Sequence, residues 1–251
     1  MIPQRAHEPR EGRVLSALGA QRAGTAWMAC MIVALIVFAA DPALDLATSR
    51  LFYSDGFALA RLPVLELARQ ALLAVMALPA LLAGLALGVR AFGHRLFGIS
   101  LRIWLLILSL YALAPGLLAN GLFKRSWGRA RPVAVTDFGG SADFTPAFQI
   151  SDQCASDCSF VSAETAAATA FLISVLVLAG LMPRGPAARL ARIAATGGFL
   201  ALASLRIMLG RHFLSDVVFS VLVTTGVSIL LSRAVFGRRR TERRDERSPA
   251  R

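Results

Sequence analysis

Six long apolar stretches constrain the fold of this chain more than any other feature of its sequence. They lie at residues 26–40, 71–89, 103–123, 160–182, 193–209 and 213–231. A helix of about 20 apolar residues is long enough to cross the hydrocarbon layer of a membrane. The chain is also 56% hydrophobic, above the roughly 45–50% that is usual for soluble domains. The sequence therefore predicts an all-α bundle of six transmembrane helices.

The distribution of positive charge predicts how this bundle is oriented. Of the 27 basic residues, 18 lie in segments 1–24, 90–102, 183–192 and 233–251. Because loops rich in arginine and lysine remain in the cytoplasm, we expect both termini there and the opposite helix ends at the periplasmic face. The net charge of +12 could also indicate a nucleic-acid partner. No basic stripe interleaved with aromatic residues is present, so we expect the bilayer as partner and no nucleic acid.

The same pattern divides the chain into three parts. We expect a cytoplasmic N-terminal segment at 1–24, a six-span domain at 25–232 and an arginine-rich cytoplasmic tail at 233–251. In the segment between the first two spans, the run from Leu51 to Tyr53 and Phe57 predict an interfacial helix. The sequence leaves the oligomeric state open.

Ionisable residues at the predicted periplasmic ends of the spans indicate a functional site. Charge is costly at membrane depth and is usually kept there for function. Lys124 is the only lysine in a chain that otherwise uses arginine, which suggests a need for a compact ammonium group. The full set consists of Lys124, Arg131, Glu164, Arg206, His212 and Asp216.

Two local patterns suggest what these residues do. His212 and Asp216 are four positions apart and share a helix face, so the carboxylate could fix the imidazole tautomer and leave a nucleophilic nitrogen. A run of small residues around Ser162 and Ala163 opens the fourth span, and a helix N-terminus of this kind attracts anions. Together with the neighbouring cations, it predicts a site for phosphate.

The ordered elements of this site resemble the signature of the type 2 phosphatidic acid phosphatase family. The first element is Lys124-x6-Arg131-Pro132, the second contains Ser162, and the third is Arg206-x5-His212-x3-Asp216. The resemblance implies that His212 forms a phosphohistidine and that Asp216 orients it. It also implies that phosphate is held by Lys124, Arg131, Ser162, Ala163 and Arg206. It implies no metal or other cofactor, and the sequence offers no paired cluster of metal ligands.

The second element departs from the family pattern. Val161-Ser162-Ala163-Glu164 stands where the family has Pro-Ser-Gly-His, and Leu205 stands where a serine precedes the arginine. Glu164 could replace the missing histidine as the acid that protonates the leaving oxygen. This role predicts a lowered pH optimum, or a preference for leaving groups that need little protonation. Alternatively, Glu164 is favoured only by the helix dipole, and catalysis is impaired.

The sequence thus predicts a lipid phosphatase of a bacterial inner membrane. Its substrate could be phosphatidic acid, phosphatidylglycerol phosphate, undecaprenyl pyrophosphate or lipid A. Two alternatives remain, a lipid phosphotransferase with the same fold and a catalytically impaired lipid-binding homologue. Cys154 and Cys158 could form a disulfide near the site in an oxidising compartment.

Overall fold

The computed structural model describes residues 11–14 and 21–236, and all of its long elements are helices. Residues 11–14 are helical. The further helices are α1 (Gln21–Ala40), α2 (Ala43–Arg50), α3 (Pro63–Ala91), α4 (Leu101–Ser126), α5 (Ala163–Leu181), α6 (Pro186–Met208) and α7 (Leu214–Phe236). Six of these, all except α2, are long and apolar enough to cross a membrane. The predicted all-α bundle of six spans is therefore confirmed.

Two of the helices begin earlier than the hydropathy pattern predicts. The second span begins at Pro63 instead of residue 71, and the fifth begins at Pro186 instead of residue 193. Proline is favoured in the first helical turn because its missing N–H is not needed there. Charged side chains within these added turns can extend towards water, so the helix continues beyond its apolar stretch.

α5 lies at the centre of the bundle, where it packs against α3, α4, α6 and α7. By contrast, α1 packs mainly on α7, and only Ala34 and Phe38 of α1 are buried. At this contact, Trp27 Nε1 donates a hydrogen bond to the Leu222 carbonyl over 2.7 Å. Gly226 lies against the same indole, and a Cβ at this position would come within 2.7 Å of it. A small residue at position 226 therefore permits the close approach of the two helices.

The outward faces of the spans are apolar. Ile36, Leu81 and Leu230 are 62%, 65% and 65% exposed. Exposed aliphatic side chains on this scale would be unfavourable in water, but they match the hydrocarbon layer of a bilayer. This arrangement agrees with the membrane location that the helix lengths indicate.

α4 changes its helical form halfway along its length. Residues 101–111 are α-helical, and residues 112–123 form wider π-helical turns that contain Pro115. Proline cannot donate to the preceding turn and clashes with its carbonyl, so a change of helical pitch at this residue is expected. Asn120 Nδ2 donates to the Pro115 carbonyl over 2.9 Å. After this change α4 delivers Lys124 to one end of the bundle.

Two loop regions at that end pack together through aromatic side chains. Phe57 and Phe138 are buried with Phe213, and the ring of Tyr53 lies against both Phe57 and Phe138. The α-helix of the segment between the first two spans is α2, and the run from Leu51 to Phe57 is not helical. The aromatic rings pack against the loop between α4 and α5, and an interfacial location of α2 remains a prediction.

The predicted boundaries at 1–24, 25–232 and 233–251 remain predictions. Most of the N-terminal segment and most of the arginine-rich tail lie outside the described residues.

Candidate active site

The fold brings the chemically distinctive residues of the sequence to one end of the bundle. Lys124 is in the last turn of α4, Glu164 in the first turn of α5 and Arg206 in the last turn of α6. Arg131 follows α4 in the adjoining loop, and His212 lies between α6 and α7. The up-and-down order of the spans thus makes the ends of α4 and α6 coincide with the starts of α5 and α7.

A glycine turn sets the separation of Arg206 from His212. Gly210 has a φ of +64°, a left-handed conformation that favours glycine, and a Cβ there would come within 2.4 Å of the Phe57 ring. This turn allows the His212 backbone N–H to donate to the Arg206 carbonyl over 3.0 Å. Both side chains are therefore fixed relative to the end of α6.

A cavity of about 340 Å³ opens at this end and is lined mainly by charged side chains. We call it the cation pocket and define it by five cations, which are Arg69, Lys124, Arg131, Arg206 and Arg211. The side chain of Arg206 is only 6% exposed, and its Nε has no hydrogen-bond partner among the residues that the structure describes. The pocket thus retains a buried donor that a bound anion could use.

A carboxylate of the chain itself lies in the cation pocket. Asp157 accepts a hydrogen bond from Lys124 Nζ over 2.7 Å and forms an ion pair with Arg131 over 2.5 Å. Partial burial acts to raise the pKa of Asp157, but the hydrogen bond from Lys124 and the charge of Arg131 hold it below its usual value. The Asp157 side chain is 68% exposed, so an incoming anion could displace it. Lys124 and Arg131 are therefore arranged to bind oxyanions.

Glu164 lies between two guanidinium groups on the pocket wall. Its Oε1 accepts a hydrogen bond from Arg69 Nη1 over 2.8 Å, and its Oε2 is 3.1 Å from Arg206 Nη1. Arg69 is held in turn by Glu66, one helical turn earlier in α3. Glu164 therefore bridges two arginines of the cation pocket. The acid role remains a prediction, and the geometry adds an ion-pairing role.

The tautomer of His212 follows from its hydrogen bonding. Its Nδ1 is 2.8 Å from the Ser159 carbonyl, and since a carbonyl can only accept, Nδ1 must carry the proton. Nε2 then has a free lone pair, as a nucleophile requires. Burial lowers the pKa of His212 to about 4, which keeps the imidazole neutral at pH 7. His212 itself is 1% exposed and is not among the residues that line the pocket, but its backbone N–H donates to the carbonyl of Arg206, which does line it.

The direct contact expected between Asp216 and His212 is not formed. Asp216 Oδ2 is 3.8 Å from His212 Nδ1, which is too long for a hydrogen bond. The same oxygen instead accepts from Ser159 Oγ over 2.5 Å and from the Phe213 backbone N–H over 2.8 Å. Asp216 therefore positions His212 indirectly, because it fixes Ser159, whose carbonyl holds the ring. Sequence spacing could not reveal this, since Ser159 lies far from both residues in the chain.

A fully buried group of charges supports Asp216, and we call it the Arg129 network. Arg129 is 0% exposed and forms ion pairs with Asp45 over 2.8 Å and with Asp216 over 2.6 Å. Its Nε donates to the Thr145 carbonyl, and Ser215 donates to Asp45 from both its backbone N–H and its hydroxyl. The guanidinium also lies 4.4 Å from the centre of the Phe213 ring, a favourable cation–π contact.

The predicted helix start at Ser162 and Ala163 is observed, but both residues are buried outside the pocket lining. Ser162 caps α5, since its Oγ accepts from the backbone N–H of Thr165 over 3.3 Å and from the Thr165 hydroxyl over 2.9 Å. Its hydroxyl is thus already used within the protein. Phosphate binding by these two residues remains a prediction.

Cys154 and Cys158 are bonded as a disulfide in the structure, with Cα atoms 5.6 Å apart. The bond closes a short loop that contains Asp157, so it restrains the carboxylate that lies in the cation pocket. Among the described residues, no group of three or more His, Cys, Asp or Glu side chains could hold a metal ion.

The sequence did not predict a role for three residues at this end of the bundle, Arg129, Asp45 and Arg69. Arg129 is two positions from Arg131, and in an extended loop residues at this spacing point to the same side, so the sequence did not suggest a separate role for Arg129. Asp45 carried a weak signal, as an acid in a short segment directly after a span. Arg69 was assigned to a loop because the apolar stretch of α3 begins only after it.

Comparison with known proteins places these residues in a family. The model of the PAP2 superfamily matches residues 104–240, which include every predicted site residue from Lys124 to Asp216. No solved structure matches the chain.

Three curated relatives each match a little over two fifths of this chain. The chain is 41% identical over 107 residues to a lipid A 4'-phosphatase of Francisella tularensis subsp. novicida, an alignment that covers 43% of this chain and 46% of the relative. It is 37% identical over 106 residues to a lipid A 4'-phosphatase of Rhizobium leguminosarum, covering 42% of this chain and 43% of the relative. For a lipid A 4'-phosphatase of Rhizobium etli the identity is 38% over 105 residues, with 42% and 39% covered.

Each alignment spans less than half the length of the curated relative. The family match, by contrast, covers more than half of this chain and contains the nucleophile candidate together with Lys124, Arg131 and Arg206. On this basis, the chain belongs to the PAP2 superfamily.

Proposed function

We propose that this protein is a membrane phosphatase that hydrolyses a phosphate ester of a lipid through a phosphohistidine at His212. The observation that carries the proposal is a neutral imidazole with a free Nε2, in a residue whose backbone N–H donates to the carbonyl of Arg206, one of five cations that line the pocket. The six spans keep this pocket at the end of a membrane bundle, where a lipid headgroup can reach it. A soluble phosphate ester would not require such a location.

The proposed chemistry has two steps. Nε2 of His212 attacks phosphorus, and a bond from phosphorus to nitrogen forms as the bond to the lipid oxygen breaks. Lys124, Arg131 and Arg206 neutralise the charge on the phosphoryl oxygens, and the leaving oxygen takes a proton from Glu164, the predicted acid, or from water. Water then attacks the phosphohistidine, which releases inorganic phosphate and regenerates the imidazole. Most of the catalysis in such a site comes from positioning and electrostatic stabilisation.

Lipid A is the substrate that we propose, with cleavage at its 4' phosphate. The names of the three relatives support this choice. The pocket also suits a sugar phosphate, because its rim combines the carboxylate of Glu66 with the apolar side chains of Leu59 and Leu62. Such a rim can accept hydroxyl hydrogen bonds beside an apolar ring face.

The proposed location is the inner membrane of a bacterium, with both termini in the cytoplasm and the pocket at the periplasmic face. The unequal distribution of arginine between the two ends of the bundle supports this orientation. An oxidising periplasm would also be compatible with the disulfide beside the pocket. Reporter fusions at both termini would test the orientation, and periplasmic signals from them would contradict it.

Phosphate release from purified lipid A in detergent tests the proposed activity, with His212→Ala as the matched control. We expect the variant to lose activity by roughly 10³-fold or more, because no other group can form the covalent intermediate. Mass spectrometry of the lipid product identifies which phosphate is lost. Equal phosphate release from both proteins would exclude the nucleophilic role.

Parallel assays separate this proposal from its alternatives. Preferential turnover of phosphatidic acid, phosphatidylglycerol phosphate or undecaprenyl pyrophosphate would replace lipid A as the proposed substrate. The proposed mechanism would be unaffected. A phosphotransferase would release little inorganic phosphate unless an acceptor lipid is added. A catalytically impaired homologue would bind lipid A with no turnover of any of the four substrates.

A further inference from the structure

A second charged cavity lies at the end of the bundle opposite the cation pocket. It has a volume of about 690 Å³ and is formed by the α5–α6 connection, the first turns of α6 and residues 13–14. Because α5 has 19 residues, the two ends are separated by roughly 28 Å. Four arginines line this cavity, Arg13, Arg184, Arg189 and Arg192, and we call it the arginine cavity. Among the described residues, no Asp or Glu lines it.

Of the three arginines near the α5–α6 connection, the capping of a helix end accounts only for Arg192. Arg192 Nη2 donates to the Ala179 carbonyl over 3.3 Å and so satisfies a group near the C-terminus of α5. Arg184 and Arg189 have no ion-pair or hydrogen-bond partner among the residues that the structure describes, and both are exposed. Like charges around a concave surface repel each other unless an anion lies between them.

The backbone adds positive potential at the same place. α6 begins at Pro186, and its N-cap residue Gly185 provides no side-chain hydrogen bond to the first turn. Pro186 has no N–H and the Arg189 N–H donates to the Gly185 carbonyl, so the N–H groups of Ala187 and Ala188 are available there, and the helix dipole favours negative charge. The arginines and this helix start are two independent features that face one cavity.

The surface beside the arginine cavity is apolar and continues in the direction of the membrane interior. Leu190, Ile193 and Leu200 of α6 are 66%, 59% and 55% exposed. Their spacing, with Gly197 between them, places them on one helix face. This face begins next to Arg189 and extends along the helix axis, so a cationic cavity leads directly to an apolar strip.

A phospholipid has the matching layout, with a phosphate at the bilayer surface and acyl chains below it. We propose that the arginine cavity binds the headgroup of an anionic phospholipid, whose acyl chains lie along the strip formed by Leu190, Ile193 and Leu200. Basic pockets at the ends of membrane helices suit such headgroups, because arginines near the membrane surface attract anionic lipids. The bound lipid acts as a structural ligand, remote from the cation pocket.

Thermal unfolding of the purified full chain in detergent tests this proposal, with added phosphatidylglycerol or phosphatidylcholine as probes. We expect phosphatidylglycerol to raise the Tm of the wild-type protein by several degrees more than phosphatidylcholine does, since a ligand of the folded state stabilises it. The double variant R184Q/R189Q should lose at least half of this difference. Native mass spectrometry should show fewer phosphatidylglycerol molecules retained by the variant.

The matched control is R90Q/R95Q, which removes the same charge from exposed arginines at the same end of the bundle. This control should retain the wild-type difference in Tm between the two lipids. An equal loss of that difference in both variants would attribute it to general surface charge and overturn the proposal. A Tm rise from inorganic phosphate that R184Q/R189Q abolishes would replace the lipid by a free anion at this cavity and also overturn the proposal, whereas phosphate bound in the cation pocket would stabilise both proteins alike. R184K/R189K keeps the charge and should retain most of the Tm difference between the two lipids. Such a result would show that substitution at these two positions does not itself cause misfolding.

Discussion

Two clusters of ion pairs lie at the same end of this bundle, the Arg129 network and the cation pocket. They differ in how deeply the partners of their cations are buried. In the Arg129 network, the guanidinium is 0% exposed and bonds to Asp45, Asp216, Ser215 and the Thr145 carbonyl. In the cation pocket, Lys124 and Arg131 contact a carboxylate that is 68% exposed. The first group has permanent partners, whereas the second has a partner that can be displaced.

This difference separates a group suited to positioning side chains from a group suited to binding anions. A buried ion pair must keep all its partners, because removal of one leaves an uncompensated charge in a medium of low polarity. An exposed pair contributes little to stability and can exchange one anion for another. Both groups are linked to His212 by hydrogen bonds. Asp216 of the Arg129 network accepts from Ser159, whose carbonyl contacts the imidazole. The His212 backbone N–H donates to the carbonyl of Arg206, which lines the cation pocket.

The largest contrast is expected between Arg129→Gln and Arg131→Gln. Loss of Arg129 leaves Asp45 and Asp216 buried without their common partner, so we expect the free energy of unfolding to fall by about 3–5 kcal/mol. Loss of Arg131 should leave stability nearly unchanged and raise the KM for lipid A by about tenfold. Unfolding in mixed micelles and steady-state kinetics on both variants measure the two effects.

Arg50→Gln is a matched control for Arg129→Gln. Arg50 forms an ion pair with Asp137 at 3.9 Å, but its side chain is 66% exposed, so its loss should cost less than about 1 kcal/mol. If Arg129→Gln is no more destabilising than Arg50→Gln, the Arg129 network has no positioning role of the kind described. If Arg129→Gln instead raises the KM for lipid A with no change in stability, the distinction between the Arg129 network and the cation pocket disappears.

The next effect is a pH dependence of stability that arises from His212. Its pKa is lowered by burial to about 4, compared with about 6.5 in an unfolded chain. Between these values the unfolded chain binds a proton that the folded protein does not, so stability falls as the pH decreases from 6.5 to 4. We expect the wild-type protein to lose about 2 kcal/mol more than His212→Asn between pH 7 and pH 4.5.

Chemical denaturation of the two proteins at both pH values gives this difference directly. Protonation of carboxylates, including Asp157, destabilises both proteins alike and cancels in the comparison. An equal loss in the two proteins would mean that His212 is not held neutral by burial.

The sequence predicted most of the fold because membrane helices need an unmistakable length of apolar residues. All six spans were found, but Pro63 and Pro186 begin their helices well before the apolar stretches at 71–89 and 193–209. Hydropathy measures where lipid contact begins, whereas proline and charged residues determine where a helix begins. This is why Arg69 and Arg189 were placed in loops, although both are helical.

The site was predictable where function depends on spacing along one segment, as between Arg206 and His212. It was not predictable where function depends on contacts between segments. The hydrogen bond from His212 to the Ser159 carbonyl joins residues 53 positions apart, and the pair of Asp45 with Arg129 joins residues 84 positions apart. A single sequence contains no signal for such pairs beyond the cost of leaving each charge unpaired.

A smaller effect is expected at Glu164, where the two proposed roles give different kinetics. If Glu164 mainly orients Arg69 and Arg206, as its contacts at 2.8 and 3.1 Å indicate, Glu164→Gln should lower kcat/KM by about tenfold, chiefly through KM. The shape of the pH–rate profile should then be unchanged. An acid role would instead lower kcat by about 10²–10⁴-fold, which is typical of a lost general acid, and remove one limb of the profile.

Glu164→His provides the matched comparison, because it restores the residue that is usual at this position in the family. An increase in kcat with this variant, together with a large loss in Glu164→Gln, would assign Glu164 to proton transfer. A modest loss in both variants would assign it to the orientation of the arginines.

The smallest expected effect concerns Asp157, which tests whether the carboxylate in the cation pocket competes with substrate. Asp157→Asn keeps the shape of the side chain but removes the charge that binds Lys124 and Arg131. We expect the KM for lipid A to fall by about two- to fivefold with kcat unchanged, because the phosphate no longer displaces an anion. Asp152→Asn, another acid in the same loop, should leave KM unaltered. A rise in KM for Asp157→Asn would show that Asp157 helps to organise the cation pocket. The cation pocket and the Arg129 network would then both hold side chains in place, and the contrast between them would be lost.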